Sequence, residues 1–238
     1  MGRSRSVAEG ARAPGPSRGV VRRHAANLVS ILGILPIGLL VLDGGRDYVI
    51  PLMLYNNIMD DLDGVLAIKL GTKSEFGARL DNVCDAIAHT AFVMVVGMRG
   101  GSLCAAASLV AVTAIILRVV SRLSPGAVTA HGSPTNELIR HMLFILLLTA
   151  LAGVPAAPFL TVAFVLHAVS MHVRYRMPFL IRSMTTSATA IGLLNVALVV
   201  AWVVPYTAPL IAASFILTYL YSFARGAVKP TSSGAPVC

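Results

Sequence analysis

The sequence contains little charge. Only 12% of its 238 residues are charged, whereas 56% are hydrophobic and the mean hydropathy is +0.80. Soluble globular proteins are about 25% charged and about 45–50% apolar, so this chain lacks the polar surface that a water-soluble core requires. The composition therefore excludes an ordinary soluble domain and predicts a bundle that uses lipid as its outer solvent.

Cysteine is also scarce, and the excess of positive charge is dispersed. Cys84, Cys104 and Cys238 lack metal-binding spacing, so we interpret them as small hydrophobic residues that report no redox compartment. The net charge of +9 does not indicate a nucleic-acid partner. The basic residues that produce this charge lie between hydrophobic stretches. That pattern is typical of membrane proteins, whereas a nucleic-acid-binding protein gathers its basic residues on one exposed face.

Apolar stretches make up most of the chain. A spanning helix needs about 20 residues, and several stretches lie near the lower limit of about 17. We predict an all-α, polytopic membrane bundle with six to eight transmembrane helices, the lower number applying if some stretches are interfacial or re-entrant. Prolines near 155–158 and 205–209 indicate two helical hairpins. The eight stretches are 27–42, 48–68, 82–98, 102–121, 138–154, 157–173, 188–204 and 208–224.

The basic residues predict the orientation. With eight spans and an inner N-terminus, 17 of the 19 Lys and Arg residues fall in inner segments, and only Arg46 and Arg99 fall outside. This asymmetry is typical of membrane proteins, whose cytoplasmic segments are enriched in basic residues. We therefore expect both termini in the cytoplasm and a location in the bacterial inner membrane.

Three segments are expected along the chain. Residues 1–25 are rich in Arg, Gly, Pro and Ser and are predicted to be a disordered basic tail near anionic headgroups. Residues 26–226 form the membrane domain, and residues 227–238 form a short C-terminal tail.

Five aspartates flank one short connection, three before it and two after it. Asp60, Asp61 and Asp63 come late in the second apolar stretch, and Asp81 and Asp85 open the third. A carboxylate at membrane depth is costly unless it is paired, neutralised or bound to metal. Such a concentration of acid therefore indicates a site.

The spacing of the aspartates predicts two facing pairs. Residues three or four apart share a helix face, so Asp60 pairs with Asp63 and Asp81 pairs with Asp85. Two antiparallel helices with facing carboxylates make an oxygen-rich site that Mg²⁺ or Mn²⁺ prefers. Asp61 points about 100° away from the shared face, so we interpret it as solvated or supporting. The alternative is pairing of the aspartates with Lys69, Lys73 and Arg79 at the headgroup level.

The same region resembles the signature of the CDP-alcohol phosphatidyltransferases, D-x2-D-G-x2-A-R-x8-G-x3-D-x3-D. Every spacing holds, and seven of the eight fixed positions match. The exception is Ile68, which stands where the signature has Arg. The matching residues are Asp60, Asp63, Gly64, Ala67, Gly77, Asp81 and Asp85.

The resemblance implies a reaction of phospholipid biosynthesis. Such enzymes transfer a substituted phosphate from a CDP-linked donor to an alcohol and release CMP. It implies that Asp60, Asp63 and Asp81 are metal ligands, with Asp85 a further ligand and the general base. It also implies that Gly64, Ala67 and Gly77 lie against the nucleotide. The expected partners are CDP-diacylglycerol or another CDP-alcohol, an alcohol acceptor, membrane lipids and, as is common in such families, a second copy of the chain.

The loss of Arg at Ile68 leaves the phosphate contact to other residues. Arg118 and Arg122 share a helix face, with snorkelling to the interface as the alternative interpretation. Arg140 is either an acceptor contact or the partner of Glu137. The full set of candidates is Lys73, Arg79, Arg118, Arg122 and Arg140.

Two other functions compete with phosphatidyl transfer. A cation- or proton-coupled transporter would use the aspartates as an ion site. A catalytically dead relative would act as a membrane scaffold, and the substitution at Ile68 is its only support. Within the family, the eight stretches and Gly33 favour a phosphatidylserine-synthase-like member.

Overall fold

The computed structural model describes residues 16–123, 134–172 and 187–228. Eight α-helices lie in these ranges, which confirms the predicted all-α class. Short 3-10 segments at Leu35–Val41, Gly45–Tyr48 and Pro205–Thr207 extend or join them. The helices are α1 (Pro16–Ile34), α2 (Val49–Leu70), α3 (Glu75–Gly97), α4 (Gly101–Leu123), α5 (Pro134–Ala152), α6 (Ala157–His172), α7 (Ala188–Val203) and α8 (Ala208–Val228).

The helices form a polytopic membrane bundle, as the composition predicts. In the described part of the chain, five segments are long and apolar enough to cross a membrane, and α6 and α7 are shorter apolar helices. Helix α2 has 22 residues and is long enough to cross a membrane, but it is not among the five apolar segments because it carries three aspartates and Lys69. The five segments are His24–Val41, Glu75–Gly97, Gly101–Leu123, Thr135–Ala152 and Pro205–Arg225.

The ends of the chain differ in part from the predicted segments. Helix α1 begins at Pro16, inside the segment predicted as a tail, and α8 continues to Val228. Residues 1–15 and 229–238, including Cys238, lie outside the described residues. Cys84 and Cys104 are buried free thiols, as predicted.

The connection between α2 and α3 sets the position of the aspartates. Gly71 adopts a left-handed conformation (φ +65°), and the N–H of Thr72 donates to the Ala67 carbonyl at 3.0 Å, which closes α2. Ser74 is the N-cap of α3, and its Oγ accepts a hydrogen bond from the Gly77 N–H at 3.0 Å. Because only four residues separate the helices, the acidic end of α2 lies beside the acidic start of α3.

Helices α3 and α4 approach closely at Gly97. Helix α4 packs against both α3 and α6, with Ala111, Ile115 and Phe164 fully buried between them. A Cβ built on Gly97 would overlap the side chain of Ser108 and lie 3.3 Å from Phe164 Cε2. The backbone of α3 can therefore sit against α4 only because residue 97 has no side chain.

This contact predicts a stability change. Gly97→Ala should lower the free energy of unfolding by about 1–3 kcal/mol, because overpacking forces the helices apart. The higher helix propensity of alanine compared with glycine opposes this effect but does not cancel it. Thermal unfolding of the detergent-solubilised protein measures the effect.

A second substitution and a control complete this experiment. Ser108→Gly combined with Gly97→Ala should recover most of the loss. Gly192→Ala should not lower the Tm, since a Cβ there meets nothing within 4 Å. A wild-type Tm for Gly97→Ala would contradict the close approach.

Candidate active site

Three aspartates converge where α2 meets α3. Asp60 and Asp63 lie one turn apart on α2, and Asp81 lies in the second turn of α3. One carboxylate oxygen from each of the three lies within 4.8 Å of the others. The structure thus brings together three of the four aspartates that the sequence proposes as metal ligands.

Asp85 lies apart from this group. It is one turn beyond Asp81 and lines a small separate cavity with Arg118, Arg122 and Thr135. It remains close enough for electrostatic interaction with Asp60, Asp81 and Asp63. The four carboxylates therefore form a cluster of three and a neighbour on the side facing α4.

Two hydrogen-bond donors hold the ligand carboxylates. Ser30 Oγ on α1 donates to Asp63 Oδ2, and Asn136 Nδ2 on α5 donates to Asp60 Oδ2 at 2.8 Å. Both donors are buried. Asn136 is not predicted from the sequence, because only its polar character at the start of an apolar helix marks it and its spacing from Asp60 carries no signal.

A cavity of about 320 Å³ opens beside the cluster, between α1, α2 and the start of α3. All three predicted nucleotide contacts line it, together with Asp63 and Asp81. A Cβ on Gly64 would meet nothing within 4 Å, so this glycine leaves open space in the wall. A Cβ on Gly77 would lie 3.0 Å from Asn27 Oδ1 and 3.1 Å from Ser74 Oγ. The remaining predicted contact, Ala67, also lies in the wall.

The predicted phosphate contacts divide into several groups. Lys73 lines the cavity of about 320 Å³ beside the aspartate cluster. Arg122 lines the Asp85 cavity and donates to Asn82 Oδ1 at 3.1 Å. Arg118 lines the same cavity and lies 3.5 Å from the Met171 carbonyl oxygen. Arg79 forms an exposed ion pair with Glu75.

Arg140 belongs to a buried polar network. It is 1% exposed, donates from Nη1 to Glu137 at 2.9 Å and from Nε to Asn57 Oδ1 at 3.0 Å. Asn57 Nδ2 donates to Asn195 Oδ1 at 2.7 Å, and Asn195 Nδ2 donates to Asp61 Oδ2 at 2.6 Å. This network joins α2 to α5 and α7.

Asp61 differs from Asp60 in its surroundings. It is 2% exposed, so the prediction of a solvated side chain is wrong and the supporting interpretation remains. Its bond to Asn195 anchors α2 on the side away from the cavity.

A comparison with known protein families identifies the family of this chain. The family model described as CDP-alcohol phosphatidyltransferase matches residues 23–226. The chain belongs to this family. A search of curated proteins found no match.

Members of the CDP-alcohol phosphatidyltransferase family use a divalent metal, a CDP-alcohol donor and an alcohol acceptor. The site fits such an ion, because hard divalent cations prefer carboxylate oxygen and all three clustered side chains offer it. Asp60, Asp63 and Asp81 are the residues that could hold the metal.

The hydrogen bond from Asn136 to Asp60 predicts an effect on metal affinity. Asn136→Ala should weaken Mn²⁺ binding about 10–100-fold, the usual loss when a residue that orients a ligand is removed. Titration of the purified protein with Mn²⁺, followed by electron paramagnetic resonance, measures the affinity directly.

A buried threonine on the same helix provides the control. The Thr149 hydroxyl donates to the carbonyls of Ile145 and Leu146 in the preceding turn of α5, so Thr149→Ala should bind Mn²⁺ like the wild type. Unchanged affinity in a folded Asn136→Ala protein would refute the orienting role.

Proposed function

We propose that this protein transfers a phosphatidyl group from CDP-diacylglycerol to an alcohol and releases CMP, in the pathway of phospholipid synthesis. The observation that carries the proposal is the position of the Asp60, Asp63 and Asp81 cluster at the wall of a cavity lined by Gly64 and Ala67. We further propose Mg²⁺ or Mn²⁺ as the metal, the cytoplasmic side of a bacterial inner membrane as the location, and cytoplasmic termini.

The aspartates have two proposed roles. Asp60, Asp63 and Asp81 hold the metal, which when bound stabilises charge on the diphosphate and the departing CMP. Asp85 accepts the proton of the acceptor hydroxyl as its oxygen attacks the phosphorus of the phosphatidyl group. The bond from that phosphorus to the CMP oxygen breaks, and CMP leaves with the electron pair.

Donor and acceptor occupy different sides of the cluster in this proposal. The cavity of about 320 Å³ takes the cytidine nucleotide against Gly64, Ala67 and Gly77. The acceptor approaches Asp85, where Arg118 and Arg122 also lie. Two guanidinium groups favour an acceptor that carries an anionic group. Serine and phosphorylated alcohols carry such a group, whereas free inositol does not and is disfavoured.

The substitution at Ile68 is compatible with activity. Its side chain is 61% exposed and is absent from the cavity wall, whereas Lys73 lines that wall. We propose that Lys73 supplies the cationic contact to the donor diphosphate. The Ile68 substitution remains the only support for the scaffold alternative. Membership of an enzyme family argues against the transporter alternative.

The central test is turnover by aspartate variants. Purified protein with labelled CDP-diacylglycerol and Mn²⁺ is screened against serine, glycerol 3-phosphate, inositol phosphate and inositol. Asp81→Asn should abolish CMP release through loss of a metal ligand. Asp85→Asn should lower it about 10²–10⁴-fold, the usual contribution of a general base.

The control substitutes an exposed aspartate outside the cluster. Asp43 is exposed and lies before α2, so the Asp43→Asn variant should leave turnover unchanged. Full activity in both Asp81→Asn and Asp85→Asn would refute the proposed site. Correctly folded wild-type protein that binds Mn²⁺ but releases no CMP with any acceptor would favour the scaffold.

The proposed role of Lys73 generates a separate prediction. Lys73→Gln should raise the KM for CDP-diacylglycerol about tenfold or more, since a charge-assisted hydrogen bond to phosphate is lost. Lys69→Gln is the matched control, because Lys69 lies four residues earlier, is exposed and does not line the cavity. Equal KM values for the two variants would count against the contact.

A further inference from the structure

A second cavity lies at the end of the bundle opposite the aspartates. It has a volume of about 430 Å³ and is formed by the start of α2, the end of α3 and the turn between α5 and α6. Val96 in its wall follows Asp81 by 15 residues on α3, which is roughly 22 Å along a helix axis. The cavity is therefore separate from the candidate active site.

The wall of this cavity is mostly aliphatic. Val49, Ile50, Leu146 and Leu160 supply the hydrocarbon surface, and small residues at the α5–α6 turn leave the space between them. Its volume lies in the range of about 300–1,000 Å³ typical of ligand sites. Such a wall suits a hydrocarbon chain.

Two arginines make this apolar cavity unusual. Arg46 and Arg99 both line it and both are exposed. The eight-span topology predicted from the sequence places only these two of the 19 Lys and Arg residues in outer segments, and the fold brings both to one cavity. Asp47, 3.5 Å from Arg46, offsets part of this charge and leaves a net positive edge.

We propose that this cavity binds one anionic phospholipid from the adjacent leaflet. Its acyl chain lies between the aliphatic walls, and its phosphate lies between Arg46 and Arg99. A guanidinium group forms two parallel hydrogen bonds to a phosphate, which fixes the headgroup at the cavity edge. A lipid with net negative charge satisfies both features, whereas a zwitterionic lipid brings its own cation to the arginines.

The test measures which lipid the full-length protein retains. Protein equilibrated with equal amounts of phosphatidylglycerol and phosphatidylcholine in detergent is examined by native mass spectrometry. Wild type should retain one phosphatidylglycerol in preference. The double variant Arg46→Gln, Arg99→Gln should lose this preference by about tenfold or more, as charge-assisted hydrogen bonds are removed.

Two further measurements separate the lipid from its headgroup. Ala156→Phe fills the cavity while both arginines remain, and it should also lose phosphatidylglycerol. Inorganic phosphate in large excess should leave the lipid bound. Arg225→Gln removes an exposed arginine outside the cavity, so it should retain phosphatidylglycerol like the wild type.

Three results would overturn the proposal. These are equal retention of the two lipids by wild type, undiminished retention by the arginine or Ala156→Phe variants, and displacement by inorganic phosphate alone. The readout is lipid retention rather than CMP release, so its failure would leave the proposed enzymatic function untouched.

Discussion

Negative charge inside a helix bundle is the constraint on which this structure depends. Asp60, Asp63 and Asp81 place carboxylate oxygens within 4.8 Å of one another, where mutual repulsion and lost hydration oppose folding. Hydrogen bonds from Ser30 and Asn136 offset part of that cost. A divalent cation would offset more, so metal affinity and the stability of the fold are linked through the same side chains.

Helix α2 reconciles this site with a stable bundle by separating its polar residues between two sides. Asp60 faces α3 and α5, whereas Asp61, about 100° further round the helix, is held by Asn195 on α7. The chain of bonds then runs through Asn57 to Arg140 on α5. Because rotation of α2 would break this network, the network fixes the direction in which the ligand carboxylates point.

The local part of the site could be predicted from the sequence, and the distant part could not. Spacing of three residues places Asp60 and Asp63 on one face, and the four-residue connection brings Asp81 to them. Which of the two aspartates on α3 joins this group depends on how α3 crosses α2, and no spacing encodes that crossing. Asn136 follows Asp60 by 76 residues, and only tertiary packing brings the two together.

The Ile68 substitution illustrates how packing alters the meaning of a motif. Ile68 lies next to Ala67 in sequence, yet it is 61% exposed and outside the cavity wall. Lys73 reaches that wall because Gly71 turns the chain with a positive φ, a conformation that a side chain would disfavour. Under the proposed function, the cation at the donor cavity therefore depends on the α2–α3 turn rather than on the helix position that the family signature specifies.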